Sequence, residues 1–389
     1  MTQDPIYLDF NATTPVAPVV LEAMIPFFGS MFGNPSSAHP YGFRLRAAID
    51  NARGQVATLI GAEPDEIVFT SCGSESNNLA LKGLAFAQPG ARNHIVISAV
   101  EHPAVTNTAR FLTRHGFSVT TLLVDGYGRV GLDSVRETVT ERTLVVSVLH
   151  AQNEIGTLQP LSDISAVAHE RGAFVHTDAA QTVGKVPVNV RELGVDLLTV
   201  AGNKFYAPKG AGALYVRRGI ELESLVHGGG HERGLRAGTE NAAFAVGLGR
   251  AAVLAGGRLA LYNSQVRPLR DQLHEAILSG VPDALLNGHA DERLPNTLNV
   301  SFPGVDSTEL QMLVCDRLAC STGCGCHAGK SAPSPTLLAI GRDAALASAA
   351  LRLTLGIETT RADIDEAGSI LIDAVNQLCR PARQTTPTR

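Results

Sequence analysis

Short apolar runs rich in β-branched residues alternate with longer helical stretches between Glu66 and Val216. Buried strands that alternate with helices are typical of a mainly parallel sheet with helices on both faces. We therefore predict an α/β fold for this part of the chain. The predicted strands are Ile67–Thr70, Ile95–Ser98, Val119–Val124, Leu144–Leu149, Phe174–Thr177 and Leu197–Val200. The helices predicted between them include Ser76–Phe86, Ala104–His115 and Ile164–Glu170.

The pattern changes after the Gly256-Gly257 pair, which follows a long Ala-rich helical stretch. Because a single hydrophobic core stops growing near about 250–300 residues, this chain of 389 residues is expected to form two domains. The second would be a smaller α+β unit, followed by a disordered Pro- and Thr-rich tail at 381–389. Its predicted elements are the helices Val266–Leu278 and Arg361–Cys379 and the strands Asn296–Phe302 and Ala349–Leu355.

Composition narrows the class of protein. Hydrophobic residues make up 44% of the chain and charged residues 18%, which fits a well-packed enzyme. The formal net charge of −5 gives no electrostatic sign of nucleic-acid binding. Apolar runs such as Thr143–Leu149 are short for a membrane span, and the first residues do not resemble a secretory signal. We therefore expect a cytoplasmic protein without nucleic-acid or membrane partners.

Polar residues follow the predicted strands, at the edge where parallel sheets bind their ligands. Gly73 and Ser74 follow the first strand at the start of a helix, where free backbone N–H groups favour a phosphate. The same pair also fits an ordinary serine cap. An aspartate at a strand end can pair with the cationic ring nitrogen of a cofactor, although a loop or cap role is equally open for such residues. The residues that follow later strands are His102, Asn153, Asp178 and Gln181.

Lysine is scarce, so a lysine with a chemical role must be one of few. The five are Lys82, Lys185, Lys204, Lys209 and Lys330. Lys204 follows the sixth predicted strand at a buried sheet end, among Gly, Ala and Phe. Because an unpaired buried ammonium is costly, burial favours the neutral amine, which is the form that makes Schiff bases.

The six cysteines indicate thiol chemistry or metal binding rather than a disulfide framework. Metal binding is an open alternative because Cys320, Cys324, Cys326 and His327 have ligand-type spacing. The Cys-x-Cys pair, however, leaves little room for two metal-bound thiolates and a separate nucleophile. The cysteines interpreted as buried small hydrophobes are Cys72, Cys315 and Cys379.

The order of these features along the chain resembles the cysteine desulfurases, which are close to the selenocysteine lyases. Both belong to the class V aminotransferase group of fold-type I pyridoxal-5′-phosphate (PLP) enzymes. The resemblance extends from Tyr7 to Gly356. Its most specific segments are Phe69–Asn78, Asn153–Gly156, Thr177–Gln181, Lys204–Gly210 and Gly228–Asn241. It implies a PLP-dependent transferase with a seven-stranded sheet in a large PLP-binding domain, 15–256. A small domain, 1–14 with 257–380, would carry the catalytic cysteine loop.

The resemblance also implies a role for each residue around the cofactor. Lys204 would carry PLP as a Schiff base, and Asp178 would pair with its ring nitrogen. Gln181 would hydrogen-bond the phenolic oxygen, while His102 would stack on the ring and move protons. Asn153 would lie near the ring oxygen and the substrate. The phosphate would be bound by Gly73, Ser74 and Asn203, and by Thr239 of a neighbouring subunit in a homodimer.

For the substrate, the resemblance implies that Arg352 holds the carboxylate and that Asn34 lines the entrance. Cys326, flanked by glycines that give it freedom to move, would be the nucleophile. The implied reaction converts L-cysteine to L-alanine and moves the sulfur to a Cys326 persulfide. An acceptor protein would then collect the sulfur, as in iron–sulfur cluster assembly.

Two alternatives stay open. One is a selenocysteine lyase or a PLP lyase of a specialised pathway, because the segment from Cys326 to Leu338 looks partly lyase-like. The other is a metal- or cluster-binding scaffold without catalysis. The chain also departs from the family, since Ala201 and Asn203 replace the usual Ser and His, and Cys324 stands where Ser is usual. The loss of the Ser hydroxyl predicts weaker PLP binding, or else a shifted substrate.

Overall fold

The computed structural model describes residues 4–87, 90, 92–322 and 333–379. The predicted strands are confirmed to within two residues at each end. In chain order the strands are β1 (Ile6–Tyr7), β2 (Ile67–Thr70), β3 (His94–Ser98), β4 (Ser118–Leu122), β5 (Thr143–Ser147), β6 (Phe174–Asp178), β7 (Leu197–Ala201), β8 (Gly212–Val216), β9 (Leu285–Leu286), β10 (Thr297–Ser301), β11 (Leu318–Ala319) and β12 (Ala350–Thr354).

The helices cover both faces of the main sheet and one side of a smaller one. They are α1 (Pro18–Met24), α2 (Pro40–Ile60), α3 (Gly73–Ala87), α4 (Pro103–Thr113), α5 (Leu132–Thr138), α6 (Leu161–Glu170), α7 (Val190–Leu193), α8 (Ala242–Leu261), α9 (Arg267–Gly280), α10 (Ser307–Val314), α11 (Pro335–Ala339), α12 (Ala344–Ser348) and α13 (Arg361–Cys379).

The main sheet has seven strands in the order β2-β8-β7-β6-β5-β3-β4, and all run in one direction except β8. Adjacent residues of a buried strand can pack into different hydrophobic clusters, on opposite faces of the sheet. Ile67 packs with Val56 and Leu248 on one face, whereas Val68 packs with Leu79 on the other. This burial on both faces explains the apolar runs in the sequence and confirms the predicted α/β fold.

A smaller antiparallel sheet, β9-β10-β12, has its own hydrophobic cluster, in which Leu8, Leu273, Leu298, Leu353 and Leu371 are buried. The short β1 pairs in parallel with β11, so that the N-terminal segment reaches this part of the molecule. The cluster at the smaller sheet is separate from the clusters on the two faces of the main sheet, which supports the division into domains 15–256 and 1–14 with 257–380. The division itself stays a prediction.

Two local features were not predicted from the sequence. The sequence did not mark β8 as a strand, because glycine weakens the strand signal. Gly212 is nevertheless required there, since a Cβ on it would lie 2.9 Å from the Cys72 backbone. The Gly256-Gly257 pair does not end a helix, because α8 continues through it to Leu261 and meets α9 through a π-helical turn.

The continuous helical segment Ala242–Gly280 is, by length and composition alone, apolar enough to cross a membrane. The expectation of no membrane partner was drawn from shorter apolar runs, such as Thr143–Leu149, and did not account for this helical segment. A single helix of this kind is weak evidence, because core helices pass the same test. Leu248, Ala251 and Ala252 are buried in the cluster beside the main sheet, as in a core helix.

Candidate active site

A cavity of ≈ 680 Å³ opens at the carboxyl ends of the parallel strands. It is not lined by Asn34 or Thr239, which are both exposed. Cys326 lies outside the described residues. The predicted site residues that do line the cavity are Gly73, Ser74, His102, Asn153, Asp178, Gln181, Asn203, Lys204 and Arg352. The structure therefore brings most of the set together, while the role of each residue stays a prediction.

Asp178, at the end of β6, presents a buried carboxylate to the cavity. Its Oδ2 accepts a hydrogen bond from Asn77 Nδ2 at 2.7 Å, and its Oδ1 accepts one from the backbone N–H of Ala180 at 3.0 Å. Within the described chain the carboxylate makes no ion pair, so its charge is available to a cationic group in the cavity. Sequence reasoning missed Asn77, although it lies in the same segment as Gly73.

Lys204 ends a 3₁₀ turn that directly follows β7. Its Nζ donates hydrogen bonds to the carbonyl oxygens of Asn11 at 3.0 Å and Ala12 at 2.6 Å. Gly202 permits this tight turn, because a Cβ there would lie 2.8 Å from the carbonyl oxygen of Ala211. Sequence reasoning missed Asn11, whose partners are distant in sequence and give no local signal.

His102 caps the N-terminus of α4 with its own ring. Its Nδ1 accepts a hydrogen bond from the backbone N–H of Ala104 at 3.1 Å. The neutral ring must therefore carry its proton on Nε2, the nitrogen away from the helix. The cap holds the ring at the cavity wall in a single tautomer.

The first turn of α3 provides the expected phosphate cradle. The backbone N–H groups of Gly73 and Ser74 lie at the start of this 15-residue helix and have no partner in the described part of the chain. Such N–H groups, together with the helix dipole, favour an anion. A Cβ built on Gly73 would lie 3.3 Å from the Cβ of Ala201, so β7 forms the opposite side of the cradle.

The segment that contains Thr239 is anchored to the core by two acidic side chains. Arg236 Nε donates to Glu75 Oε1 at 3.1 Å, which joins the segment to α3. Arg53 forms a bidentate pair with Glu232, whose side chain is buried, at 2.6 and 2.8 Å. These anchors hold Thr239 at the surface, away from the cavity of its own chain.

Arg352, on β12, directs a buried guanidinium toward the cavity. Its Nη2 donates to Asp9 Oδ1 at 2.7 Å and its Nη1 to the carbonyl oxygen of Asn153 at 3.4 Å. Its Nε is buried without a partner among the described residues. Ser321 pairs with Arg352 through the backbone in both directions and donates from Oγ to Asp9 Oδ2 at 3.3 Å. Asp9 thus fixes the Arg352 guanidinium, which is predicted to hold the substrate carboxylate.

Glu101 is a buried carboxyl group in the cavity wall that sequence reasoning passed over in favour of its neighbour His102. Its Oε1 accepts hydrogen bonds from Ser98 Oγ at 2.6 Å and the Leu149 backbone N–H at 2.8 Å. Its Oε2 has no partner in the described chain. Burial, with a smaller contribution from the charge of Asp178, raises the pKa of Glu101 from 4.5 to about 8. At neutral pH this group is therefore a protonated acid.

Glu101→Gln is expected to stabilise the protein at high pH and to change little near pH 5. The folded carboxyl keeps its proton up to about pH 8, whereas the unfolded one loses it near 4.5, so stability falls as pH rises between these values. The free energy of unfolding of the variant should gain up to about 1.4 kcal/mol per pH unit over the parent in this window. Urea unfolding at pH 5, 6.5 and 8 measures the trend. The exposed control Glu221→Gln should show none, and a pH-independent difference for Glu101→Gln would contradict the assignment.

Ala201→Ser with Asn203→His is expected to strengthen PLP retention. Ala201 lies beside the first turn of α3, so a hydroxyl there would add a donor to the phosphate cradle. One hydrogen bond to a charged group contributes about 1.5–3 kcal/mol, or roughly ten- to a hundredfold in affinity. Loss of PLP on dialysis measures the gain, and the two single variants divide it between the positions. Unchanged PLP retention would indicate that Ala201 and Asn203, in place of the family's usual Ser and His, reflect a shifted substrate and not weaker phosphate binding.

Three cysteines predicted to be buried are exposed: Cys72, Cys315 and Cys379. Cys72 lines the cavity because it immediately precedes α3, where the chain must leave the sheet. Cys320 is buried, and this burial raises the pKa of its thiol to about 12, which makes it a poor nucleophile. No group of three metal-ligating side chains occurs in the part of the chain that the structure describes. Cys324, Cys326 and His327 lie outside that part, so the metal-binding alternative is not tested.

The fold and this cavity are typical of an enzyme, and comparison with known proteins identifies the family to which it belongs. The model of the aminotransferase class-V family matches residues 6–367, and the chain belongs to that family. It is 44% identical over 374 residues to a cysteine desulfurase IscS of Dictyoglomus turgidum, covering 96% of this chain and 95% of that protein. It is 42% identical to a cysteine desulfurase IscS of Methanosarcina thermophila, covering 96% and 92% of the two chains.

Solved structures show the same similarity. A NifS-like protein superposes with a TM-score of 0.90 at 35% identity, covering 96% of this chain and all of the other. The structure described as SspA in complex with cysteine superposes with a TM-score of 0.80 at 38% identity, covering 91% and 99% of the two chains. The fold-type I architecture expected from the sequence is therefore confirmed.

PLP is the cofactor of this family, and the cavity fits it. The N–H groups of Gly73 and Ser74 suit its phosphate, and the Asp178 carboxylate suits its ring nitrogen. The Gln181 amide and the Lys204 amine complete the set for its phenolic oxygen and aldehyde. The buried Asn77 Oδ1, unpartnered among the described residues, also indicates that a polar group belongs in this place.

Proposed function

We propose that this protein is a PLP-dependent cysteine desulfurase that converts L-cysteine to L-alanine and transfers the sulfur to Cys326. The observation that carries the proposal is that Lys204, Asp178 and Arg352 meet at one cavity. An amine, a carboxylate and a guanidinium in this arrangement serve covalent attachment, ring pairing and capture of an amino-acid carboxylate. The names of the relatives and of the SspA complex with cysteine support cysteine as the substrate.

The side chains of the cavity prepare the substrate for reaction. When bound, PLP supplies an electron sink for the bond that breaks at the substrate Cα. Arg352, fixed by Asp9, orients the carboxylate of the amino acid. Lys204, through its amine, and His102, through its Nε2–H, would move protons at the cavity wall. Asp178 would pair with the ring nitrogen of the cofactor.

Sulfur transfer requires a thiolate from the chain itself. The Cys326 thiolate attacks the sulfur of the substrate, so that the carbon–sulfur bond breaks and a sulfur–sulfur bond forms on the enzyme. The electron pair of the broken bond stays with the carbon fragment, which becomes alanine after protonation. An acceptor protein or a thiol reductant then takes the outer sulfur from the persulfide. Supply of sulfur for iron–sulfur clusters is the role that fits this chemistry.

The working unit is proposed to be a homodimer. The exposed Thr239 suits a contact with the phosphate site of a second subunit. Large apolar side chains are also exposed on the N-terminal elements: Leu21, Ile25, Phe28, Phe32 and Phe43. A subunit interface that covers such side chains would remove them from water.

Incubation of the purified, PLP-loaded protein with L-cysteine and a thiol reductant tests the function. Alanine and sulfide should form in equal amounts. Faster alanine release from L-selenocysteine than from L-cysteine would favour the lyase alternative. Absence of both products, together with stoichiometric metal in the purified protein, would favour the scaffold.

A further inference from the structure

Lys185 is a fully buried lysine that neither lines the cavity nor takes part in the proposed chemistry. It follows Gly184, whose φ of +80° and close packing against Phe205 turn the chain inward after β6. Its Nζ donates hydrogen bonds to Gln181 Oε1 at 2.8 Å and Asn11 Oδ1 at 2.9 Å. A buried amine is costly unless its hydrogen bonds are satisfied, so a specific arrangement of both amides is being maintained here.

Contacts with Asn11 and Lys185 settle which way the Gln181 amide faces. The carbonyl oxygen of Asn11 can only accept, so the amide atom 3.0 Å from it must be Nε2, and the atom 2.8 Å from the Lys185 amine is the oxygen. The Gln181 Nε2 therefore points the other way, where one of its hydrogens is donated to the carbonyl oxygen of Asn11 at 3.0 Å. The second hydrogen is left for an acceptor on the cavity side, which Gln181 lines.

Asn11 is fixed by the same amine. Its Oδ1 accepts from Lys185 and from Asn296 Nδ2, at 2.9 and 3.1 Å. Its Nδ2 therefore donates to Thr297 Oγ1 at 2.9 Å and to the carbonyl oxygen of Asn153 at 3.2 Å. The carbonyl oxygen of Asn11 in turn accepts a hydrogen bond from Lys204. The buried amine of Lys185 is therefore connected by hydrogen bonds, through Asn11 and Gln181, to groups that face the cavity.

The electrostatic surroundings of Lys185 disfavour a charged amine. Burial, and then repulsion from Lys204 and Arg352, lowers the pKa of Lys185 well below its usual value. The structure offers this amine two acceptors, Asn11 and Gln181, and it donates to both.

We propose that Lys185 is a positioning residue that locks the Gln181 amide with its N–H₂ toward the phenolic oxygen of PLP. The proposal rests on the predicted contact between Gln181 and that oxygen. Without Lys185, only the hydrogen bond from Nε2 to the carbonyl oxygen of Asn11 would restrain the amide, so rotated forms that present Oε1 to the oxygen of the cofactor would become more populated. Lys185 would then act on PLP without touching it.

Lys185→Met tests this, because methionine keeps the length and apolar stem of lysine but cannot donate. PLP should bind roughly ten- to a hundredfold more weakly to the apoprotein, which is the effect of one lost hydrogen bond to a charged oxygen. The pH midpoint of the visible absorbance change of bound PLP should also move upward by roughly one unit, because the phenolic oxygen is less stabilised. The exposed control Lys209→Met should change neither value.

A double-mutant cycle with Gln181→Met decides whether Lys185 acts through Gln181. Lys185→Met should weaken PLP binding no further once Gln181 is already methionine. The double variant also replaces both buried partners by apolar groups, so it remains informative if the single lysine variant does not fold. Unchanged PLP binding in Lys185→Met, or full additivity in the cycle, would overturn the proposal. PLP binding and the absorbance change can be measured without desulfurase activity. Failure of this proposal can therefore be distinguished from failure of the proposed function.

Discussion

Lys204→Ala is expected to leave a folded protein that no longer holds PLP covalently and has lost turnover by at least about a thousandfold. Lys204 ends the turn after β7, and its amine lies in the cavity with Asp178 and Gln181. Alanine keeps the turn because the turn is closed through the backbone, by a hydrogen bond from the Phe205 N–H to the carbonyl oxygen of Gly202 at 3.1 Å. The amine provides both the attachment and a proton carrier, so both should disappear together.

Borohydride reduction followed by peptide mapping measures the attachment, and alanine release measures turnover. Lys209→Ala, an exposed lysine five residues further along, is the matched control and should retain both. Reduced cofactor found on Lys185 or Lys209 of the parent protein would show that the assignment is wrong. Lys185 is the more serious competitor, because it is buried and its amine contacts Gln181, which lines the cavity.

Cys326→Ser is expected to retain PLP and to lose sulfide release by a thousandfold or more, on the scale of removing a catalytic nucleophile. Serine cannot form a persulfide, whereas the residues predicted to bind PLP lie on the main sheet and α3. Ser321, five residues before Cys326 in the sequence, lines the cavity beside Arg352 and Asp9. The expected loss is therefore specific to sulfur transfer.

Two cysteines serve as matched controls for this variant. Cys324→Ser tests the thiol that replaces the family's usual serine, and Cys72→Ser tests the exposed thiol that the structure places in the cavity wall. Both should keep most of the sulfide release. Undiminished sulfide from Cys326→Ser would refute the assignment, and loss in one of the other variants would identify the acting thiol.

The fold was predictable because its main sheet is buried on both faces. Each strand therefore reads as a short apolar run, and the residue after it lies at the ligand-binding edge. Asp178 and Lys204 could be singled out from their places after β6 and β7 for this reason. β8 escaped because Gly212, required by the nearby end of β2, weakens its pattern.

The residues that hold the site together were less predictable. Asp9 and Asn11 contact Arg352, Lys204 and Gln181 across long sequence separations, and no periodicity reports such contacts. The surroundings of Cys72 were misjudged because small hydrophobic packing is only the usual state of a free cysteine. Orientation of amides, as at Gln181, depends on a partner that only three-dimensional structure reveals.

The contacts of Asn11 also constrain when the site can form during synthesis. Its backbone N–H donates to Thr354 Oγ1, a residue 343 positions later in the chain. A ribosome adding about 5–20 residues per second needs roughly 17–70 s to reach that partner after Asn11 has been made. The nascent chain can build much of the main sheet in this interval, but not the wall that Asn11 completes. Firm capture of the cofactor is thus expected only when translation is nearly finished, so that unfinished chains do not consume it.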